Sequence, residues 1–442
     1  MVESMKKFSN NTVRQETVPL TFILLFYSGT VIGLQFIFPR LIAFYPQTIF
    51  AVTAILLSAV SLIKGSSTLK LERIQYCIAM CCIMASVGLY YRSAEVGCLT
   101  QGRETVSILW KEFIFVSILV ISTRTLSALI FAQKWILITV ALFVLHSIKA
   151  IFAGFSGEGG RFDNYVGLIS NADYIGIFTA IFFVIFLHVS MQSRKKINGL
   201  LLFALAVFSL IIMLKTQTRA AVIVLGMVTF WWIVIISTSK AELFKKGIVM
   251  LSVVVAVVIF GRLFSLSFDT FFDRIATITR SISDEADFNA KSRLFLWKQG
   301  LAMGIANPLL GVGPGATAPY LNLNFEGKVL QDRQSKAVGF SLHHTFIQIF
   351  AERGIIGLLL FCLILLAAYR NFNEVARYAR AQPEKRQLVI LADVGRLYFV
   401  GFVVGGMFNS IENDWTLFVF IALAICSRQY IHGTGVTSPI GE

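Results

Sequence analysis

The chain has 442 residues, 56% of them hydrophobic and only 14% charged, with a formal net charge of +15. A soluble protein of this size carries roughly 25% charged residues, so there is too little polar sequence to cover a water-facing core. The basic excess sits mostly in short loops between apolar runs, which ties it to membrane topology and excludes a nucleic-acid partner.

In chain order, the first residues are polar and basic (Lys6, Lys7, Arg14), and the apolar run after them is long enough to stay as a helix, so no cleaved signal peptide is expected. Apolar runs then predict transmembrane helices near 18–38, 42–63, 74–91, 105–123, 135–153, 169–191, 199–216, 219–237, 247–265, 343–369, 388–408 and 414–430. Runs of this length cross a hydrocarbon core of ~30 Å. The expectation is an all-α polytopic membrane protein of about 12 transmembrane helices. Lys111, Glu112 and Arg124 interrupt or flank the fourth.

With the N-terminus in the cytoplasm, one side of the bundle receives Lys64, Lys70, Arg73, Arg194, Lys195, Lys196, Lys240, Lys245, Lys246, Arg370, Arg377, Arg380, Lys385 and Arg386. The other side receives mixed loops: Arg92 to Glu104, then Glu158, Arg161 and Asp163, then Glu412 and Asp414. That bias puts both termini in the cytoplasm. Cys77, Cys81, Cys82, Cys362 and Cys426 lie in apolar runs and Cys98 in a polar loop, and no CxxC pair or Cys/His cluster suggests a metal.

One loop differs from the rest. Residues 266–342 separate the first nine helices (1–265) from the last three (343–442). Its first part alternates Phe268, Phe271, Phe272, Ile275, Ile278 and Ile282 with Asp269, Asp273, Arg274, Thr277 and Arg280, the pattern of an amphipathic helix lying along the membrane. A second helix is expected near 290–305, with Leu294, Trp297 and Leu301 on one face. Asn307-Pro308 and the run Gly311-Val312-Gly313-Pro314-Gly315 then predict a chain of turns.

Three basic features converge on the outer face. Arg219 opens a helix after Lys215-Thr216-Gln217-Thr218, either snorkelling to the interface or facing a cavity that holds an anion. Arg293 lies in the outer loop, and its planar fork suits phosphate. His343 and His344 open the helix 343–369, where a neutral imidazole can take a proton from a hydroxyl, or cap the helix start. Zinc is not expected, since adjacent histidines on a helix diverge. Asp163, Asp173, Glu326, Asp332, Glu412 and Asp414 are candidates for an alternative base or an arginine partner. No GxxxxGK[ST] loop is present.

The stretch from His343 to Gly357, a histidine followed at fixed spacing by Gly354-x-x-Gly357, resembles the signature of the O-antigen ligase and polymerase superfamily. Arg293 with Trp297, Asn307-Pro308 and Gly311-x-Gly313 is similar to a second run of that family, and Thr218-Arg219-Ala220-Ala221 to a third. Arg161, Asn171 and Asp173 resemble a weaker motif. His344 stands where the family has asparagine, serine or glutamine, so the base is open between His343 and His344.

The resemblance implies a GT-C-like glycosyltransferase of the bacterial inner membrane with a periplasmic active site. It would move O-antigen from undecaprenyl pyrophosphate to the lipid A–core oligosaccharide, without a metal or other cofactor and with inversion. It implies a pyrophosphate held by Arg219 and Arg293, with Lys215 and Arg161 beside them, and membrane lipids around the protein. The alternatives are an O-antigen polymerase or a protein O-glycosyltransferase related to it, a lipid-linked oligosaccharide flippase or other transporter, and a membrane scaffold or assembly factor. Charges at the midplane of several helices would favour the flippase; Lys111, Glu112, Arg124 and Lys149 are expected nearer helix ends.

Overall fold

The computed structural model describes residues 18–32, 46–63, 72–93, 99–152, 171–237, 239–263, 288–317 and 341–433. Every regular element among them is helical. In chain order they are α1 (Val18–Ile32), α2 (Pro46–Ile63), α3 (Arg73–Gly88), α4 (Leu99–Ser122), α5 (Leu126–Phe152), α6 (Ala172–Gln192), α7 (Lys196–Thr216), α8 (Arg219–Phe230), α9 (Lys240–Leu263), α10 (Phe288–Ala306), α11 (Thr345–Arg380), α12 (Arg386–Gly406) and α13 (Trp415–Ile431). A helix stands at each expected span and another near 290–305. Eight are long and apolar enough to cross a membrane on that measure: α2 to α7, α11 and α12. The chain is a polytopic, all-helical membrane protein. The expected amphipathic helix at 268–282 lies outside the described residues.

Helix α6 is apolar on every face, and its side chains from Ile175 to Leu187 are buried. An all-round apolar helix belongs in the centre of a bundle, and α6 packs against α7, α8 and α12. By contrast α2 leaves Ile49, Val52, Leu56 and Ile63 exposed, and α9 leaves Phe244, Leu251 and Ile259 exposed. Such apolar faces suit lipid.

Two ends differ from the sequence reading. Helix α5 begins at Leu126, not 135, because Lys134 is carried on an exposed face and does not stop the helix. Helix α11 runs to Arg380, well past 369. Its polar end continues because Phe372, Val375, Ala376 and Ala379 recur at helical spacing and are all buried.

Helix α11 is also broken. Gly354 has φ 65° and ψ −168°, so Thr345–Arg353 and Ile355–Arg380 are separate pieces. A break leaves carbonyls and amides without helical partners. The turn after α10 supplies them: Val312 N donates to Ala351 O at 2.8 Å, Gly313 N to Glu352 O at 3.2 Å, and Ile355 N to Pro308 O at 2.8 Å. A Cβ on Gly311 would stand 2.4 Å from Ala351 O, and one on Gly354 2.3 Å from Leu309 O. The two glycine motifs are therefore the two halves of one backbone junction. The described part of the outer loop, 288–317, is docked onto α11.

Candidate functional site

At the end of the bundle that carries this junction, five segments meet: the start of α6, the turn between α7 and α8, the first turns of α10, residues 341–344, and the 407–414 turn.

Asn171 caps α6, its side-chain oxygen accepting from Asp173 N at 2.7 Å. This fixes Asp173 in the first turn, where the helix dipole favours a carboxylate. Asp173 accepts from the Thr218 hydroxyl at 3.2 Å and forms an ion pair with Arg293. Arg293 Nη1 also donates to Phe408 O at 3.4 Å. Thr218 is the residue before α8, reached from α7 by only Gln217, which sits in the left-handed region at φ 51°. Arg219 follows as the first residue of α8, and both it and Lys215, in the last turn of α7, are half-buried.

The two histidines do different things. His344 is the N-cap of α11, its Nδ1 accepting from Ile347 N at 3.3 Å, and its ring meets Trp297 edge-on at 5.2 Å. Arg293 and Trp297, one helical turn apart, thus face the neighbouring residues His343 and His344. His343 stands outside the helix with φ 52°. That value is uncommon for a side chain with a Cβ and marks an imposed position. The Asn409 side chain lies beside the His343 ring, which faces the charges of Arg293 and Asp173. Its Nδ1 is buried without a hydrogen-bond partner among the described residues. Burial and the Arg293 guanidinium hold its imidazole below the ordinary histidine value, against the pull of Asp173 and Asn409. Burial also lowers His344. The expectation that both histidines open the helix needs correcting: the helix starts at Thr345, and only His344 caps it.

Of the other sequence candidates, Arg161, Asp163, Glu326 and Asp332 lie outside the described residues. Asp414 is a structural cap of α13, accepting from Thr416 N at 2.8 Å and Tyr398 Oη at 2.6 Å. Glu412, on the same turn as Asn409, is pushed up to about 7 by burial. Asn409 and the Phe408 carbonyl were not legible as site groups, since a turn asparagine and a main-chain oxygen leave no pattern.

Glu112 departs from the sequence reading. It lies in the middle of α4 and is fully buried, with neither carboxylate oxygen hydrogen-bonded among the described residues. The charges acting on it are Arg353, Glu412 and Asp414. The sequence placed it near a helix end because α4 was expected to start at 105, whereas the helix begins six residues earlier at Leu99. Among the described residues, no group of three or more His, Cys, Asp or Glu is placed to hold a metal ion.

Residues 204–362, which include Lys215, Arg219, Arg293, His343 and the Gly311–Gly354 junction, match the family model described as O-antigen ligase. Over this stretch the chain is similar to O-antigen ligases. The matched O-antigen ligase stretch stops short of Asp173 on one side and Asn409 on the other, although both touch its residues. A curated relative, the exopolysaccharide production protein ExoQ of Rhizobium meliloti (strain 1021), is 32% identical over 117 residues, 26% of each chain. The similarity thus spans about a quarter of that relative's length.

Proposed function

We propose that this chain is an O-antigen ligase. It transfers a glycan from undecaprenyl pyrophosphate to lipid A–core oligosaccharide at the periplasmic face of the inner membrane. The observation that carries the reading is the neighbourhood of His343: a buried imidazole, short of a partner at Nδ1 among the described residues, beside Arg293 and within the cluster that holds Thr218 ahead of Arg219. The first nine helices, the loop 266–342 and the last three helices are taken as its three parts, with both termini cytoplasmic.

In this mechanism the donor's tail stays in lipid and its pyrophosphate meets Arg219 and Arg293, with Lys215 and Arg161 adding positive charge. Charge-assisted bonds contribute ~1.5–3 kcal/mol each. They also stabilise charge on the leaving pyrophosphate as the glycosidic bond breaks. Arg293 is held ready by Asp173, which offsets its charge until the diphosphate arrives. His343 takes the proton of the acceptor hydroxyl as that oxygen attacks the anomeric carbon, which inverts. The cluster itself supplies the diphosphate sites and the base.

Arg293→Ala and Arg219→Ala are each expected to lower transfer at least ~100-fold, judged by lipopolysaccharide ladders in cells with insertion checked by immunoblot. Arg293→Lys recovers little, because one ammonium cannot reproduce the planar fork. Retention of full ladders in either alanine variant sinks the diphosphate assignment.

The pH profile supplies a second test. The depressed His343 remains neutral, and so a base, at neutral pH; activity is lost only as pH falls through its lowered value. The acid limb of the rate profile should therefore lie below the ordinary histidine pKa of ~6.5. A limb centred above that value contradicts His343 as the base.

A polymerase reading, in which repeat units are joined on the lipid carrier, is favoured by the similarity to ExoQ, an exopolysaccharide production protein. Purified lipid A–core offered as acceptor separates the two: the ligase glycosylates it, and the polymerase lengthens only the lipid-linked donor.

A further inference from the structure

The opposite end of the bundle holds a charged cavity that the transfer reaction does not use. Its volume is about 540 Å³, and its walls are Arg370, Asn373, Glu374, Arg377 and Arg380 of α11 with Arg396 of α12. The α11 residues recur at three- and four-residue spacing and so share one face. That this is the far end follows from the chain: Arg386, at the start of α12, donates to Gln192 O at the end of α6 at 2.9 Å, whereas the start of α6 holds Asp173.

The charges here are unequally matched. Glu374 is engaged by Arg428 at 3.1 Å and His432 at 2.7 Å. Asp393 is shared between Arg380 at 2.9 Å and Arg396 at 3.0 Å, so one carboxylate serves two guanidiniums. Arg370 and Arg377 have no ion-pair partner among the described residues. Arg396 is 6% exposed, and its Nε is buried without a hydrogen-bond partner there. A buried guanidinium donor left open at the wall of a cavity costs free energy unless a ligand or water completes it.

Position narrows the ligand. Counted from the break at Gly354, the helix from Ile355 to Glu374 rises about 30 Å, the thickness of the hydrocarbon core. Arg370 therefore stands about 24 Å along this helix, its long side chain within reach of the far edge of the core, and Arg377 and Arg380 lie beyond that edge. We propose that this cavity binds a phosphate group, supplied by the headgroup of an anionic lipid at the leaflet opposite the glycan-transfer site. Phosphate matches it because planar guanidinium forks make paired charge-assisted bonds to its oxygens. The positive-inside rule explains why arginines lie on this side. It does not explain why four line one cavity, one of them with a buried Nε that lacks a partner among the described residues.

The test uses the full-length protein in detergent at 0.15 M salt, where screening beyond ~8 Å leaves mainly direct contacts. Phosphatidylglycerol, phosphatidylcholine and inorganic phosphate are offered separately, and binding is read by native mass spectrometry and thermal shift. Wild-type protein should retain phosphatidylglycerol, and the Arg370→Gln/Arg377→Gln variant should bind it about tenfold more weakly, with its ligand-free melting temperature unchanged. If inorganic phosphate binds with the same dependence on the two arginines and displaces the lipid, the phosphate site stands and its source is soluble. Equal retention of phosphatidylglycerol by wild type and variant overturns the proposal. So does binding of neither probe by wild type, or equal binding of the zwitterionic lipid. None of these readouts depends on glycan transfer, so they are independent of the function proposed above.

Discussion

Replacing His343 by alanine is expected to reduce glycan transfer by ~10²–10⁴-fold, the range that a positioned general base contributes. The protein should still insert, since His343 lies outside α11 and its Nδ1 holds no partner among the described residues. His344→Ala should behave differently. It removes a cap that accepts from Ile347 N, a loss of about 1 kcal/mol, and lowers the melting temperature more than it lowers the chemical step. His344→Asn, which keeps a capping acceptor, should restore stability. The contrast can be read with purified donor and acceptor, comparing initial rates with melting temperatures for the same samples. Should His344→Ala lose activity at unchanged stability while His343→Ala keeps it, the base has been assigned to the wrong imidazole. Asn409→Ala adds a third arm: it should slow transfer without abolishing it, because it orients His343 and does not accept the proton.

The bundle was legible in the sequence because its signal is long and repeated: each span is a run of apolar residues, and lipid tolerates little else. The ends were less legible. Lys134 looks like a boundary until it is seen on an exposed face of α5, and Arg370 looks like one until Phe372, Val375 and Ala379 are seen to continue a buried stripe. Arg219 stood out by its place at a helix start beside the membrane, Arg293 by the fit of its planar fork to phosphate, and His343 because the chain has only 5 histidines. What joins them did not. Asp173 was one carboxylate among six, and only the fold selects it as the partner of Arg293. Asn409 lies 66 residues after His343 on a turn of ordinary composition, and Glu112 passed for a helix-end charge. Long-range pairing of single polar residues leaves no periodicity to read, whereas burial does.

Gly354→Ala is expected to destabilise the protein by at least ~3 kcal/mol and to abolish activity with it. Two costs combine. At φ 65° and ψ −168° the backbone lies in a region essentially restricted to glycine, and a residue with a Cβ there loses ~1–3 kcal/mol. The added Cβ would also lie 2.3 Å from Leu309 O and 2.7 Å from Leu310 N, so the turn after α10 has to withdraw. Withdrawal strains the bonds that this turn makes to Ala351, Glu352 and Ile355, each guarding a group that costs ~1–3 kcal/mol when buried unpaired. Since α10 carries both Arg293 and Trp297, a shift of the turn also moves the guanidinium away from His343. Gly433→Ala is the control: its φ is 67°, nearly the same, but nothing stands within 4 Å of the new Cβ. That variant should show the conformational cost alone and keep full activity. Gly311→Ala, on the other half of the junction, should match Gly354→Ala, because its Cβ would meet Ala351 O at 2.4 Å. The measurement is the melting temperature of each purified variant beside its ladder in cells. If Gly354→Ala falls no further than Gly433→Ala, the docked junction does not hold the site, and the positions of Arg293 and His343 depend on contacts elsewhere.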